Sequence, residues 1–549
     1  MQFEDTKELK RFFDNVKSNR SSYDKDLQEI NYYLSPSSRN FTGGSKDGQV
    51  DRAPIYNNNA ERDSDDLVSS LINMVVYPIE DKFYLKPTKK NQKLNKKETD
   101  YLAEAKDEIV HHLTLNKSYF LAAASNIFQN IVNYGDGPWI AERDTGKKIV
   151  KFASLPKQEV YVQRDIFGEA MVYFREVKMT ALQIKKEFYE KRVLDECEYT
   201  QQDWDKFETK IVSAPNEEWT IVQAVYERKE FTKNGVGSEK QYASVWLDHS
   251  QGKMIRNSGF DYMPFRASAW KLLSGEDYGR GPGHRAIDDI KTLNMMERDN
   301  MAASGIMLIP PVTMPYDLMD DEPDFSQAAI NYINVSKAMF NLGITKPETM
   351  NVIQDLPMSV QMQDRKAAAI SRAFYSDLLQ DTKANLEQSA TEAAQNKVDR
   401  IGKMTRPLLC IRSTFLQEVL EIVYESLVAF GILKPPETLK RLDIAFTDAI
   451  YQAQMAAKIQ LLERALSVGA SFKSLPPELQ ASVEESDFLP TVFNMVGADP
   501  RFLKDTNDAQ EAVDKERQIR QDNVDADSLK NAAGGINDLQ KAFATSQQL

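Results

Sequence analysis

A mostly helical α+β fold is predicted for this chain by three observations. The first is a glycine-rich turn, Gly275 to Gly283, followed by a helical run free of proline from His284 to about Met307. Glycine samples φ > 0 freely, and proline fixes φ and lacks an N–H, so Gly275, Gly279, Gly281, Pro282 and Gly283 forbid a regular element there. The second is a set of further helical runs with apolar residues every three or four positions, over 5–34, 60–76, 98–134, 358–380 and 391–430. The third is a change of character after Trp139, where short β-branched and aromatic segments alternate with turns up to Arg175.

Composition bounds the class. The 549 residues are enough for several domains, and 42% hydrophobic with 10% aromatic residues fits a globular chain. A net charge of −13 argues against a surface that wraps nucleic acid, which needs a basic footprint, although it allows DNA to slide past an acidic wall. Cys197 and Cys410 offer neither a disulfide framework nor zinc spacing, so a reducing compartment is expected. The opening residues lack the basic-then-apolar plan of a signal peptide, and the longest apolar stretches are too short or carry glutamates, so no membrane helix is expected.

In chain order, Leu9, Phe12, Phe13 and Val16 predict one helical face, and Leu27, Ile30 and Leu34 a second. The 42–48 stretch reads as a polar loop. Leu67 and Leu71 fall inside a helix stopped by Pro78, with a short strand at Phe83-Tyr84-Leu85. Lys89, Lys90, Lys93, Lys96 and Lys97 form either a solvated loop entering a helix or a phosphate-contacting patch. Two helices over 98–134 separate near Asn116–Ser118. A small antiparallel sheet follows over 139–175, then a helix at about Ala181–Tyr189 and a strand pair at Thr220–Thr232 and Gln241–Asp248. Beyond the long run, 306–357 is turn-rich, with strands expected at Ile306–Ile309, Tyr332–Val335 and Met350–Ile353. A second rod at 358–380 and a longer helix at 391–430 follow, the latter kinked or broken by Pro407. Residues 447–468 and 506–533 read as helical again.

Chemistry is hard to place. His111-His112 has no Glu-x-x-His partner, so zinc hydrolysis lacks a ligand set. Gly137 to Lys148 echoes a phosphate loop with the wrong spacing and no Ser or Thr after the lysine. Asp65-Asp66, Asp288-Asp289 and Asp320-Asp321 are imaginable as acid–base pairs, but with 82 acidic residues such pairs arise by chance. No enzyme, no cofactor and no metal site is therefore expected. The two rods have a physical implication of their own. A helix of about 23 residues is roughly 35 Å long, and two of them around a turn-rich module make an antiparallel hairpin. Such a hairpin is either an ordinary feature of a monomer or the wall of a closed ring, in which copies bury what one chain leaves exposed.

Several stretches carry a resemblance. Ala60–Pro78 with Phe83-Tyr84-Leu85, then Tyr278-Gly279-Arg280-Gly281-Pro282 before a long helix, Ser389-Ala390-Thr391-Glu392, and Asp487–Gln518 with Val496-Gly497-Ala498-Asp499-Pro500 stand in a shared order. In these the chain resembles the head-to-tail connector, or portal protein, of short-tailed, podovirus-type double-stranded DNA phages. Serine replaces the first threonine of that family's Thr-Ala-Thr-Glu, and residues 40–55, 190–260 and those beyond 520 match poorly. The resemblance implies a ring, usually of twelve copies (a dodecamer), at one capsid vertex of the virion, assembled in the host cytoplasm. Double-stranded DNA would be packaged and later ejected through its channel. The implied partners are copies of the chain itself, the terminase large subunit, tail adaptor proteins, and the major capsid, scaffolding and internal core proteins, with no membrane. It also implies a portal fold in segments: an α/β wing (1–283), a stem helix (284–307), a small α/β clip (308–357), a second stem helix (358–380), a channel loop (381–390), a long wing helix (391–433), a helical crown (434–515) and an extension or tail (516–549). Another virion assembly protein, such as a tail adaptor or internal core protein, is the alternative.

DNA contact in such a channel should be directed at the backbone and sparse, because strong phosphate neutralisation would brake translocation. On the family order the candidates are Arg365, Lys366 and Arg372 on the second stem helix and Lys383 in the loop, each against the alternative of a salt bridge between stem helices. Gly279, Arg280, Gly281 and Pro282 read as a structural junction, with Arg280 fastening it instead of touching DNA.

Overall fold

The computed structural model describes residues 3, 5–36, 41, 55–87, 96–190, 197–231, 237–316, 324–334, 348–349, 356–376, 402–436, 439, 442–446 and 467. The chain divides into two units, Met1–Ala449 and Ile450–Leu549, and the second holds one described residue, Ser467. The expected loops at 42–48 and 381–390, three lysines of the basic cluster (Lys89, Lys90 and Lys93), and the helices at 447–468 and 506–533 lie outside the described residues, apart from Ser467.

The first unit is α+β. Helix α1 (Thr6–Leu34) is a single rod and buries Leu9 and Phe13 near its start and Leu27, Ile30 and Leu34 near its end. Helix α2 (Asn59–Leu71) continues into a π turn at Ile72–Val76, and β1 (Phe83–Pro87) follows. Then come α3 (Lys96–Thr114) and α4 (Phe120–Tyr134), the latter almost wholly apolar on its buried side.

Eight strands then build two sheets of three and five, not one small sheet and a separate pair. Strands β2 (Asp136–Asp144) and β3 (Ile149–Ser154) pair with β9 (Phe265–Ala269) in the order β3-β2-β9. Strands β4 (Val160–Arg164), β5 (Ala170–Thr180), β6 (Glu218–Glu227), β7 (Tyr242–Asp248) and β8 (Lys253–Phe260) form an antiparallel meander in sequence order. The β2–β9 pairing joins segments far apart in sequence, which no local pattern announces.

Along β6 the period of two sorts the faces. Val222, Ala224 and Tyr226 pack with Leu9 and Phe13 of α1, while Val225 packs with Val162, Tyr173 and Phe265. Ile221 packs toward α5 (Ala181–Ile184) and α6 (Gln201–Ser213), through Ile184, Trp204 and Phe207. Helix α6, β8 and β9 were not expected. A Thr200–Asp203 capping box ahead of Trp204 and Phe207 was the readable signal for α6.

Helix α7 (Pro282–Leu308) absorbs the strand expected at Ile306–Ile309, because Pro310-Pro311 and not β-branching sets its end. A small sheet follows: β10 (Val312–Tyr316) pairs parallel with β11 (Ile330–Asn334) and antiparallel with β12 (Glu348–Thr349). Helix α8 (Leu356–Ala373) ends earlier than expected, at a turn where Tyr375 takes φ +60°. The last long rod, α9, is helical over 402–411, passes through a π turn at Arg412–Leu416 and resumes over Gln417–Ala429. Pro407 does not break it. The irregularity sits at the π turn, where the carbonyl of Thr414 accepts from Ser268 Oγ at 2.7 Å and its hydroxyl from the Ala269 N–H at 3.2 Å. Tertiary hydrogen bonds to β9, not proline, place it. Phe415 then joins Phe120, Phe128 and Trp139 at centroid distances of 5.1–6.1 Å. Residues 442–446, expected within a helical crown, are instead β13 (Leu442–Phe446), paired antiparallel with β1. Among the described residues no helix is long and apolar enough to cross a membrane.

Candidate functional site

The glycine-rich turn and α4 meet backbone to backbone. Gly135 ends α4 with φ +84°, and its N–H donates to the Ile131 carbonyl at 3.0 Å. A Cβ on Gly135 would stand 2.3 Å from the Gly279 oxygen, one on Gly279 2.4 Å from the Gly135 oxygen, and one on Gly283 2.3 Å from the Asn133 oxygen. No side chain fits at any of the three. The Trp270 N–H donates to the Gly135 carbonyl at 2.9 Å, and the Arg280 N–H to the Lys271 carbonyl at 3.0 Å. Tyr23 places its hydroxyl 3.0 Å from the Tyr134 carbonyl and 2.9 Å from that of Gly279, so α1 clamps both sides of the contact. Pro282 opens α7, where its missing N–H costs nothing. The Arg280 guanidinium makes a two-pronged contact with Glu276 at 3.0 Å on each arm.

Beneath this turn lies a buried polar cluster that local sequence reasoning missed. Lys157 Nζ and Asp136 Oδ2 are 2.6 Å apart, with both side chains 1% exposed. The ammonium also sits 4.2 Å from the centre of the Tyr278 ring. Arg20 is equally buried; it bonds to Asp24 at 2.6 Å, to the Lys157 carbonyl at 3.1 Å and to the Val160 carbonyl, and stacks 4.2 Å above the Tyr161 ring. Tyr23 is sandwiched between Tyr278 at 5.3 Å and His284 at 5.6 Å. Burial pulls the Lys157 ammonium down to about 8 against the attraction of Asp136. Burial likewise pushes the His284 imidazole down to about 4, so the ring is neutral at pH 7. Its Nδ1 accepts from the Gly281 N–H at 3.4 Å, while Nε2 and the Asp136 Oδ1 have no hydrogen-bond partner. The arrangement is chemically a clamp: it fixes where and in what direction α7 leaves the sheets.

From that clamp α7 and α8 project as a hairpin. Asp289 meets Lys366 at 2.6 Å and Asn300 meets Ser359 at 2.7 Å, an opposite residue order that makes the two helices antiparallel. The inner half is anchored: Asn294 accepts from the Tyr56 N–H at 2.7 Å, Asp63 of α2 accepts from Ser371 at 2.8 Å, and Lys291 pairs with Glu29. All the buried residues of α7 lie between Pro282 and Asn294. Further out the apolar residues are bare. Met301 and Met358 are each 61% exposed and Leu308 82%, and Met307, Val360 and Met362 are exposed as well.

Of the expected DNA contacts, Lys366 is neutralised across the hairpin by Asp289, Arg365 and Arg372 are exposed on α8, and Lys383 lies outside the described residues. The Asp320-Asp321 pair lies outside the described residues, and two histidines have structural places. His112 is buried and its Nε2 accepts from the Val150 N–H at 3.1 Å, while His249 faces Asp14 at 2.9 Å. Among the described residues no three His, Cys, Asp or Glu side chains converge as metal ligands would.

Fold and site together give paired sheets, a rigid clamp, and a helical hairpin carrying a small sheet at its far end. The chain belongs to the bacteriophage head-to-tail connecting protein family, which matches residues 6–503. It is similar to the probable portal protein of Bordetella phage BPP-1, with 22% identity over 398 residues that cover 70% of this chain and 69% of that one. It is also similar to the portal protein of Salmonella phage epsilon15, with 19% identity over 404 residues covering 71% and 69%.

Proposed function

We propose that this chain is the portal subunit of a bacteriophage virion: copies close into a ring at one capsid vertex, and double-stranded DNA is packaged and ejected through its bore. The observation that carries the ring is the outer half of the α7–α8 hairpin. Exposed methionine, leucine and valine side chains on two paired helices are costly to leave in water, at about 25 cal/mol per Å² of apolar surface. Neighbouring copies on both sides would cover them, and a closed ring leaves no open end. In this reading the sheets and α9 form the wing, α7 and α8 the stem, and β10–β12 the clip that meets the terminase and later the tail adaptors. Capsid, scaffolding and internal core proteins would surround the wing and the segments beyond 446. Arg365 and Arg372 are the described residues that would touch passing phosphates, and Lys383 joins them if 381–390 forms the channel loop. The protein acts by shape and not by catalysis.

Electron microscopy of the purified protein tests this. Uniform rings with a central hole wide enough for a DNA duplex are expected. A chain that stays monomeric at all concentrations refutes the ring.

A further inference from the structure

Two features at opposite edges of the five-stranded sheet have no use within one chain. The first is the tip of the β4–β5 hairpin, where Ile166 is 90% and Phe167 84% exposed. It is a built turn: Asp165 Oδ1 accepts from the Phe167 and Glu169 N–H groups at 2.9 and 2.8 Å, and Gly168 supplies φ +86°. Arg164 ties the tip to the clamp by donating to the Gly168 and Asp277 carbonyls, at 2.9 Å each. Two bulky apolar side chains, flanked by the carboxylates of Asp165 and Glu169, are thus held rigidly in water. The second feature is a trough of about 800 Å³ on the sheet face away from α1, between the cover of β2 and that of α5, reaching the far edge strand β8. Val177, Met179, Trp246 and Phe260 give it apolar walls. Its described lining holds five cations against two carboxylates; Arg175 is paired with Glu159 and Lys240 with Asp261, so the positive character of the trough rests mainly on Lys178 and Lys186.

We propose that the Ile166–Phe167 tip of one copy seats in this trough of the next copy around the ring. The inference rests on the ring reading above. A head-to-tail contact uses two different patches of the same chain, whereas a two-fold dimer would use one patch twice. An apolar knob with acidic flanks on one edge and an apolar, basic hole reaching the other match in both shape and charge.

Two variants test it. Ile166→Asp/Phe167→Asp alters only exposed side chains, so its thermal unfolding should match the wild type while the concentration needed for half-assembly rises at least tenfold. Phe167→Cys/Ser258→Cys, treated with a short bismaleimide, should give a ladder of covalent multimers that neither single variant nor the wild type, with its own Cys197 and Cys410, produces. If wild-type rings form but the aspartate variant assembles normally and no ladder appears, the knob-and-trough contact is wrong and the ring stands. A cross-linked product that stops at the dimer overturns the head-to-tail direction. A wild-type chain that never assembles removes the ring and this contact with it.

Discussion

The clamp around Gly135 and Gly279 and the outer half of the α7–α8 hairpin are parts of one structure built to opposite standards. At the clamp, backbones touch, the ion pair of Lys157 and Asp136 is sealed from water, and rings stack on both sides of Tyr23. On the outer hairpin, Met301, Leu308 and Met358 are mostly exposed. The clamp is completed by residues of one chain and must hold before any assembly exists. The outer hairpin leaves apolar surface that the proposed ring would cover. Rigidity at the base and incompleteness at the shaft are what the proposed ring requires of its subunit.

The sharpest way to break this contrast is to add one methyl group on each side of it. Gly135→Ala adds a Cβ 2.3 Å from the Gly279 oxygen at a residue held at φ +84°. It should cost about 4 kcal/mol in urea unfolding followed by circular dichroism, combining overpacking with left-handed backbone strain. A loss below about 1 kcal/mol would mean that the clamp yields. The ion pair comes next. Lys157→Met leaves the Asp136 carboxylate buried without its cation and should cost about 3–5 kcal/mol by the same measurement. Lys157→Met/Asp136→Leu should recover much of that loss, since removing both charges also removes their desolvation penalty.

Acid provides the third test. The His284 ring is held neutral in the fold, at about 4, while an unfolded chain binds the proton near 6.5. The unfolded state therefore takes up the proton first as pH falls. Stability fully present above pH 6.5 is lost progressively down to about pH 4, by about 2–3 kcal/mol, and His284→Asn should flatten that slope. An unchanged slope would show that the ring is not sealed. The smallest effect is expected on the shaft. At Gly305, near the end of α7, a Cβ meets only the flexible end of Gln327 at 3.1 Å, so Gly305→Ala should stabilise by about 0.5–1 kcal/mol through helix propensity. The same substitution thus changes sign between the two regions.

Much of this was legible in the chain. The spacing of Leu9 and Phe13, the stop at Pro78, the break near Asn116–Ser118 and the turn at Asp165–Gly168 are local signals, and the elements follow them. The clustered glycines around Pro282 marked a structural junction. Their partner, Gly135, did not announce itself, because it looks like any helix-ending glycine until α4 and the turn are brought together. Arg20, Lys157 and Asp136 were equally silent. Their meaning comes from burial beside each other, and sequence shows charge without showing depth. The apolar run at Ile306–Ile309 misled because isoleucine favours strands only when a neighbouring strand is present, and α7 continued to Leu308, just short of the next proline.

What the sequence determined by itself was therefore the elements and their order: helical runs, turns, the rod after the glycines and a second rod after a turn-rich insert. Those follow from propensity and periodicity, which act over a few residues. The tertiary structure alone decided which strands share a sheet, which charges are buried, where α9 widens at Thr414 and which apolar residues remain bare. These depend on contacts between residues from about twenty to well over a hundred positions apart, and no local pattern encodes who the distant neighbour will be.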